Sequence, residues 1–199
     1  MNWENITIDR LVRAYNNKNY KLTYGIYQSN IFGIRANSGA TNKFDDIIGI
    51  LRMNNGGVRE TLLCNATTDP GIYFLENPMN VKGTAILIPG QYLCSHKVGL
   101  HKGNYRALVQ CGKLRVWRDN DKDGEYDQTM PQDSNNDGIN IHHAGIDSSI
   151  INKWSAGCQV VAKISEFDSF MSQIDDHLYN KWSEFFDYTL FEQSDILEK

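Results

Sequence analysis

The stretch GINIHHAGIDSSIINKWSAGCQVV, Gly138 to Val161, decides how the rest of the chain is read. It reads as a short strand ending at a histidine, a polar loop, and a tight turn that delivers a cysteine into a second apolar run. Ile139 and Ile141 alternate with Asn140 and His142, which places His142 on the polar side of the strand. Neighbouring side chains on a strand point to opposite faces, so His143 cannot share that side. Cys158 follows His142 by sixteen positions, with Ser155 and Gly157 just ahead of it. A thiol attacks as thiolate, and a nearby imidazole is the usual acceptor of its proton. A glycine before a nucleophile permits a sharp turn and leaves amide N–H groups to receive an oxyanion. The segment holds the parts of cysteine acyl transfer, with Cys158 as nucleophile and His142 as base. Without these neighbours, a lone cysteine would read as an inert core thiol.

Working outward, the flanks are rich in short strands. Gly83 to Ile88 is an apolar strand closed by Pro89-Gly90, and Tyr92 to Cys94 precedes the glycine-spaced GLHKGNY. Arg106–Gln110 and Leu114–Arg118 read as a hairpin about Cys111-Gly112-Lys113. Nearer the N-terminus, Tyr24 to Ala36 looks extended and Asn37-Ser38-Gly39 supplies a turn. Lys43–Met53 and Val58–Asn65 then flank Asn54-Asn55-Gly56-Gly57, a strong hairpin signal. Thr7 is placed to cap a helix over Ile8–Tyr15. Beyond Cys158, Ser165 reads as the cap of a helix carrying Phe167, Phe170, Met171 and Ile174 on one face, with His177 toward solvent. Trp182 to Glu192 reads as an added edge strand. The expected class is mainly β (α+β) with a few peripheral helices. Residues 1–24 form an N-terminal helical extension and residues 25–199 a catalytic unit with a C-terminal helix and strand, together one globular body.

At 199 residues, 41% hydrophobic, the chain can bury one sizeable core. A net charge of −4 gives no basic surface for nucleic acid. No apolar run reaches membrane length, and MNWENITIDRLVR lacks the apolar core of a secretory signal. The four cysteines show no paired metal spacing, and Cys64, Cys94 and Cys111 read as buried free thiols. The loop Asp119–Asp127 (DNDKDGEYD) opens like a calcium loop, with Asp119, Asp121, Asp123 and Asp127 as candidate ligands around a hard cation. Met130 stands where the full loop needs a bidentate glutamate, so a polar turn is the competing reading. His96 and His101 could join the later histidines around zinc, but no H-E-x-x-H or paired-cysteine pattern supports it.

Ile141-His142 followed by Ser155-Ala156-Gly157-Cys158, with Ser149-Ile150 between them, resembles the signature of the YkuD-type L,D-transpeptidases. Other wall-cleaving cysteine hydrolases place cysteine before histidine; here histidine comes first. Three positions differ from the family pattern: His143 for glycine, Ala156 for the second histidine, and Val160 for the arginine two places after the cysteine. The resemblance implies a β-sandwich catalytic domain without a required cofactor. It implies attack by Cys158 on a peptidoglycan stem-peptide carbonyl, with His142 moving the proton. A carbonyl of Ser155 or Ala156 would orient His142, the Gly157 and Cys158 N–H groups would receive the oxyanion, and His143, Trp154 and Ala156 would contact substrate. The thioester would pass to an amine or to water. Action at the bacterial wall or periplasm would require carriage on a virion, release by lysis, another export route, or a leader outside this sequence. The rival reading is a non-catalytic structural or wall-binding module of a virion or envelope.

Overall fold

The computed structural model describes residues 3–38, 41–135 and 137–197. Among these residues, eleven strands and four α-helices follow in chain order: α1 Ile8–Asn17, β1 Asn30–Arg35, β2 Asp46–Met53, β3 Arg59–Thr67, α2 Ile72–Glu76, β4 Thr84–Leu87, β5 Gly90–His101, β6 Tyr105–Gln110, β7 Leu114–Asp119, β8 Gln132–Ser134, β9 Ile141–Gly145, β10 Gln159–Lys163, α3 Ile164–Tyr179, β11 Phe185–Glu192 and α4 Gln193–Leu197. The class is mainly β, as expected. Eight strands close into a barrel in the order β1-β11-β5-β6-β9-β10-β3-β2, and β4-β7-β8 form a separate three-stranded sheet. Closure leaves the barrel sheet with no edge. β1–β11 and β9–β10 pair in parallel.

Alternation sorts the side chains between an interior and an exterior core. Ile31, Ile48, Ile50, Cys64, Ala66, Ile141, Val161, Tyr188 and Leu190 belong to one interior cluster, which Ala85, Leu87, Leu114 and Val116 of the small sheet join. Phe167, Phe170, Met171 and Ile174 of α3 enter the same cluster at the spacing expected for a helix face. On the outside, Phe32, Ile34, Ile47, Leu51 and Phe191 pack against Leu11, Ala14 and Tyr15 of α1 and Ile196 of α4. A third, smaller cluster of Phe44, Ala144, Ile151, Val160 and Ala162 lies beside Cys158.

Thr7 does cap α1, its side chain accepting from the Arg10 N–H at 3.3 Å. The β2–β3 hairpin turns where Asn54 and Gly57 predict, with the Gly57 N–H donating to the Asn54 carbonyl at 2.9 Å. Elsewhere the local signals mislead. β6 and β7 form no hairpin: β6 pairs with β5 and β9 in the barrel, and β7 with β4 and β8. The Cys111 and Gly112 N–H groups both donate to the Ser95 carbonyl, which turns the chain out of the barrel there. β11 is no edge strand, because it sits between β1 and β5. α3 starts one residue before the expected cap, with Lys163 at the N-cap and no side-chain capping bond. His177 is buried rather than solvent-facing, its Nδ1 accepting from the Ser29 N–H at 2.9 Å. Cys64 is buried as expected, but Cys94 and Cys111 are exposed. Gly39 of the expected 37–39 turn lies outside the described residues.

A buried charge network ties the barrel to the small sheet. Arg35 donates to the Leu87 carbonyl and to Thr68 Oγ1 and carbonyl, and its Nε lies 2.7 Å from Asp69 Oδ1. Asp46 accepts from the Ala36 N–H and from the Thr68 N–H and hydroxyl. Burial pushes the Asp46 carboxyl up to about 8, with Asp69 adding to the rise and Arg35 opposing it.

Candidate active site

Parallel neighbours need a crossover of a dozen or more residues, and residues 146–158 supply it between β9 and β10. The crossover is pinned by Ile151, fully buried, and by bonds from the Ile151 N–H to the Asn42 carbonyl, the Ser148 N–H to the Ala162 carbonyl and the Gly71 N–H to the Ser155 carbonyl. Register then fixes the site. Gln159 lies opposite Ile141 and Val160 opposite His142. The Gln159 N–H bonds the Asn140 carbonyl at 2.9 Å, which extends the pairing one step back. Ile141 and Val161 join the interior cluster, whereas Ala144, Val160, Ala162 and Cys158 meet in the outer one. With period-two alternation, His142 and Cys158 therefore share the outer face. They line one cleft of about 230 Å³.

Cys158 is half-buried in the lining of this cleft. Its thiol donates to the Gly138 carbonyl at 3.3 Å. Burial pushes the thiol up, while the Asn140 backbone N–H and the Lys102 charge pull the other way. Ser155, fully buried, donates through Oγ to the Cys158 carbonyl at 2.8 Å and accepts from the Gly157 N–H at 3.1 Å. Ser155 thus shapes the turn that presents the cysteine. Gly157 adopts φ +117, and a Cβ there would lie 2.5 Å from the Ala85 carbonyl oxygen of β4. Only glycine fits this turn against the small sheet. The Gly157 N–H expected to receive an oxyanion is engaged by Ser155.

His142 is almost fully buried. Its Nδ1 lies 2.8 Å from the His143 carbonyl, and a carbonyl only accepts, so the proton sits on Nδ1. Tyr105 donates to the same carbonyl at 3.1 Å, and its hydroxyl oxygen is 3.1 Å from Nδ1. The orienting carbonyl is therefore that of His143, not of Ser155 or Ala156. The lone pair is left on Nε2, which is buried with no partner among the described residues. Burial, with the nearby His101, pulls the imidazole down to about 3 despite its bond to the His143 carbonyl. Both partners are thus neutral at rest.

Of the residues expected to touch substrate, Trp154 and Ala156 line the cleft. His143 faces the other way: its ring packs at 4.2 Å from that of Tyr105 and 5.4 Å from that of Phe167. Phe74, Met79, Lys102 and Lys153 also line it, with the Lys153 ammonium 4.1 Å above the Tyr73 ring. A second cleft of about 260 Å³ shares Met79, Asp137 and Ala156 with the first, and Arg118 within it is ion-paired to Asp137. The sequence reading missed Tyr105 and Asn140, and weighed His101 only as a zinc ligand. The spacing His101-x-x-x-Tyr105 about Lys102-Gly103 was the available signal, since a tight hairpin sets its two ends side by side.

The zinc grouping is not assembled: His96 bonds the Ile139 carbonyl and Ser95, away from the cleft. Among the described residues no three His, Cys, Asp or Glu side chains gather as metal ligands. In the acidic loop, Asp121 accepts from the Asp123 N–H, Asp123 from the Glu125 N–H, and Asp119 from the Asp127 N–H. These carboxylates hold turns, as short acidic side chains do. No helix of the described residues is long and apolar enough to cross a membrane. No protein-family model, curated protein or solved structure matches this chain.

Proposed function

We propose that this protein is a cysteine acyl-transfer enzyme acting on peptidoglycan stem peptides, as an L,D-transpeptidase or L,D-peptidase. The observation that carries the reading is that His142, whose buried Nε2 has no partner among the described residues, lies on the same strand face as Cys158 and lines the same cleft. A base whose other nitrogen is fixed to a carbonyl has one free lone pair, the requirement for accepting a thiol proton. In the reaction, the Cys158 thiol proton passes to His142 Nε2 as sulfur bonds the substrate carbonyl carbon. Collapse breaks the scissile C–N bond, and the imidazolium returns its proton to the departing amine, leaving a thioester. An amine or water then displaces the sulfur, its proton passing through His142. The Asn140 N–H and Lys102 favour the transient thiolate.

The substrate class rests on the resemblance of Ile141-His142 and Ser155-Ala156-Gly157-Cys158 to the YkuD-type signature, as does the sandwich description of the fold. The eight-stranded sheet closes into a barrel where the resemblance implies a sandwich, so the fold supports the assignment only at the level of its mainly-β class. Action at the bacterial wall, including delivery by a virion, belongs to the same proposal. A non-catalytic wall-binding module is the second reading, favoured by Val160, which is fully buried where the family carries arginine.

The test is the intact mass after brief exposure to a carbapenem near neutral pH, for wild type, Cys158→Ala and His142→Ala. One adduct in wild type, absent from both variants, supports acyl transfer. An unmodified Cys158 that iodoacetamide also fails to label refutes acyl transfer and favours the non-catalytic module.

A further inference from the structure

The β5–β6 hairpin brings a second histidine onto the candidate base. His101 ends β5 and Tyr105 opens β6, joined by a turn in which Lys102 and Gly103 take positive φ and the Asn104 N–H donates to the His101 carbonyl at 2.9 Å. The His101 ring lies on the His142 ring with centroids 3.9 Å apart and planes 21° from parallel. Its own orientation is fixed from behind. The Gln110 N–H donates to Asn140 Oδ1 at 2.9 Å, which turns the Asn140 amide so that Nδ2 donates to His101 Nδ1 at 3.0 Å. Nδ1 of His101 is thus an acceptor, and its proton sits on Nε2. His142 is held along one edge by the His143 carbonyl and Tyr105, and across one face by a flat neutral ring.

We propose that His101 is a positioning residue for the candidate base: its stacked ring, locked by Asn140, fixes the plane of the His142 imidazole and with it the direction of the unpartnered Nε2 lone pair. This rests on the reading of Cys158 and His142 as nucleophile and base. The ring, not its nitrogen, does the holding, so an aromatic replacement keeps the function and a small one loses it. With one face uncovered, His142 turns about its χ angles and spends less time in that plane. Misplacement of a reacting group by an ångström costs on the order of 10²-fold in rate.

The experiment compares wild type, His101→Ala and His101→Phe by the rate of carbapenem acylation of Cys158 and by the ¹⁵N shifts of His142, with thermal melting to record folding. Expected are a loss approaching that factor in His101→Ala, recovery of most of the rate in His101→Phe, and a His142 signal that moves from the pure Nδ1–H form toward tautomer exchange in His101→Ala alone. Equal rates and equal His142 shifts in wild type and His101→Ala overturn the proposal. So does a His101→Phe protein as slow as His101→Ala at unchanged melting temperature and with wild-type His142 shifts, which would assign the effect to a His101 nitrogen and not to the stacked ring. If the wild type itself takes no adduct, the acyl-transfer reading fails, and the His142 shifts alone decide whether His101 positions the ring.

Discussion

Replacing Gly157 with alanine tests the turn that carries Cys158. The added Cβ would stand 2.5 Å from the Ala85 carbonyl oxygen and 3.2 Å from the Ala85 Cβ, at a backbone φ of +117. Neither neighbour can yield cheaply, because Ala85 is paired with Arg118 inside the small sheet. The backbone conformation alone costs an L-residue about 1–3 kcal/mol, and overpacking adds about 1–3 kcal/mol. Gly57 is the internal control: it has φ +70, and a methyl added there would meet nothing within 4 Å, so Gly57→Ala carries only the conformational cost. At about 2–4 °C per kcal/mol for a chain of this size, the two costs together should lower the melting temperature of Gly157→Ala by roughly 4–24 °C, and the conformational cost alone should lower that of Gly57→Ala by roughly 2–12 °C. The cheaper escape is to swing residues 155–158 away from β4, which breaks the Ser155–Cys158 bond and shifts the sulfur. Carbapenem acylation should therefore fall in Gly157→Ala and stay normal in Gly57→Ala. Equal melting losses in the two variants, with full acylation in both, would refute the argument.

Two further outcomes follow from the buried charges. Arg35→Ala leaves Asp69 without the cation it is paired with, and breaking such a buried pair costs about 3–5 kcal/mol; urea unfolding should show the drop, and an unchanged midpoint would remove the network from the barrel's support. Burial pulls His96 down to about 4, so the unfolded chain takes up its proton first, near pH 6.5. Its contribution is present above that pH and disappears as pH falls from about 6.5 to about 4, by about 3 kcal/mol at most. Urea midpoints at pH 7 and pH 4.5 should thus diverge more in wild type than in His96→Phe, and equal divergence would place the acid sensitivity elsewhere.

Much of the strand content was legible because it is written locally. The Asn54–Gly57 turn needs residues that accept positive φ, and Thr7 needs only its own oxygen to cap α1. Barrel closure is not local. β11 reads as an edge strand because its aromatic run carries no sign of being paired on both sides, yet it bonds β1 and β5. The expected β6–β7 hairpin fails for the same reason: Cys111-Gly112-Lys113 can turn a hairpin, but the Ser95 carbonyl and the Asn140 side chain compete for the backbone there and win.

The site divides along the same line. Alternation placed His142 on the polar side and His143 opposite, and the packing of His143 against Phe167 follows from that rule. What alternation cannot supply is the partner strand. Parallel register sets Val160 against His142, so Cys158 falls one pleat behind, on the same face and beside Asn140. A slip of one residue would turn Cys158 into the barrel, where Val161 now sits, and separate it from His142 by the thickness of the sheet. The Gly71–Ser155 and Ile151–Asn42 bonds hold the crossover ends in place and forbid that slip. The pair His142–Cys158 is therefore a product of loop anchoring as much as of the motif. Residues with no chemical signature of their own, Gly71, Asn42 and Ile151, are what make the sixteen-residue spacing mean proximity.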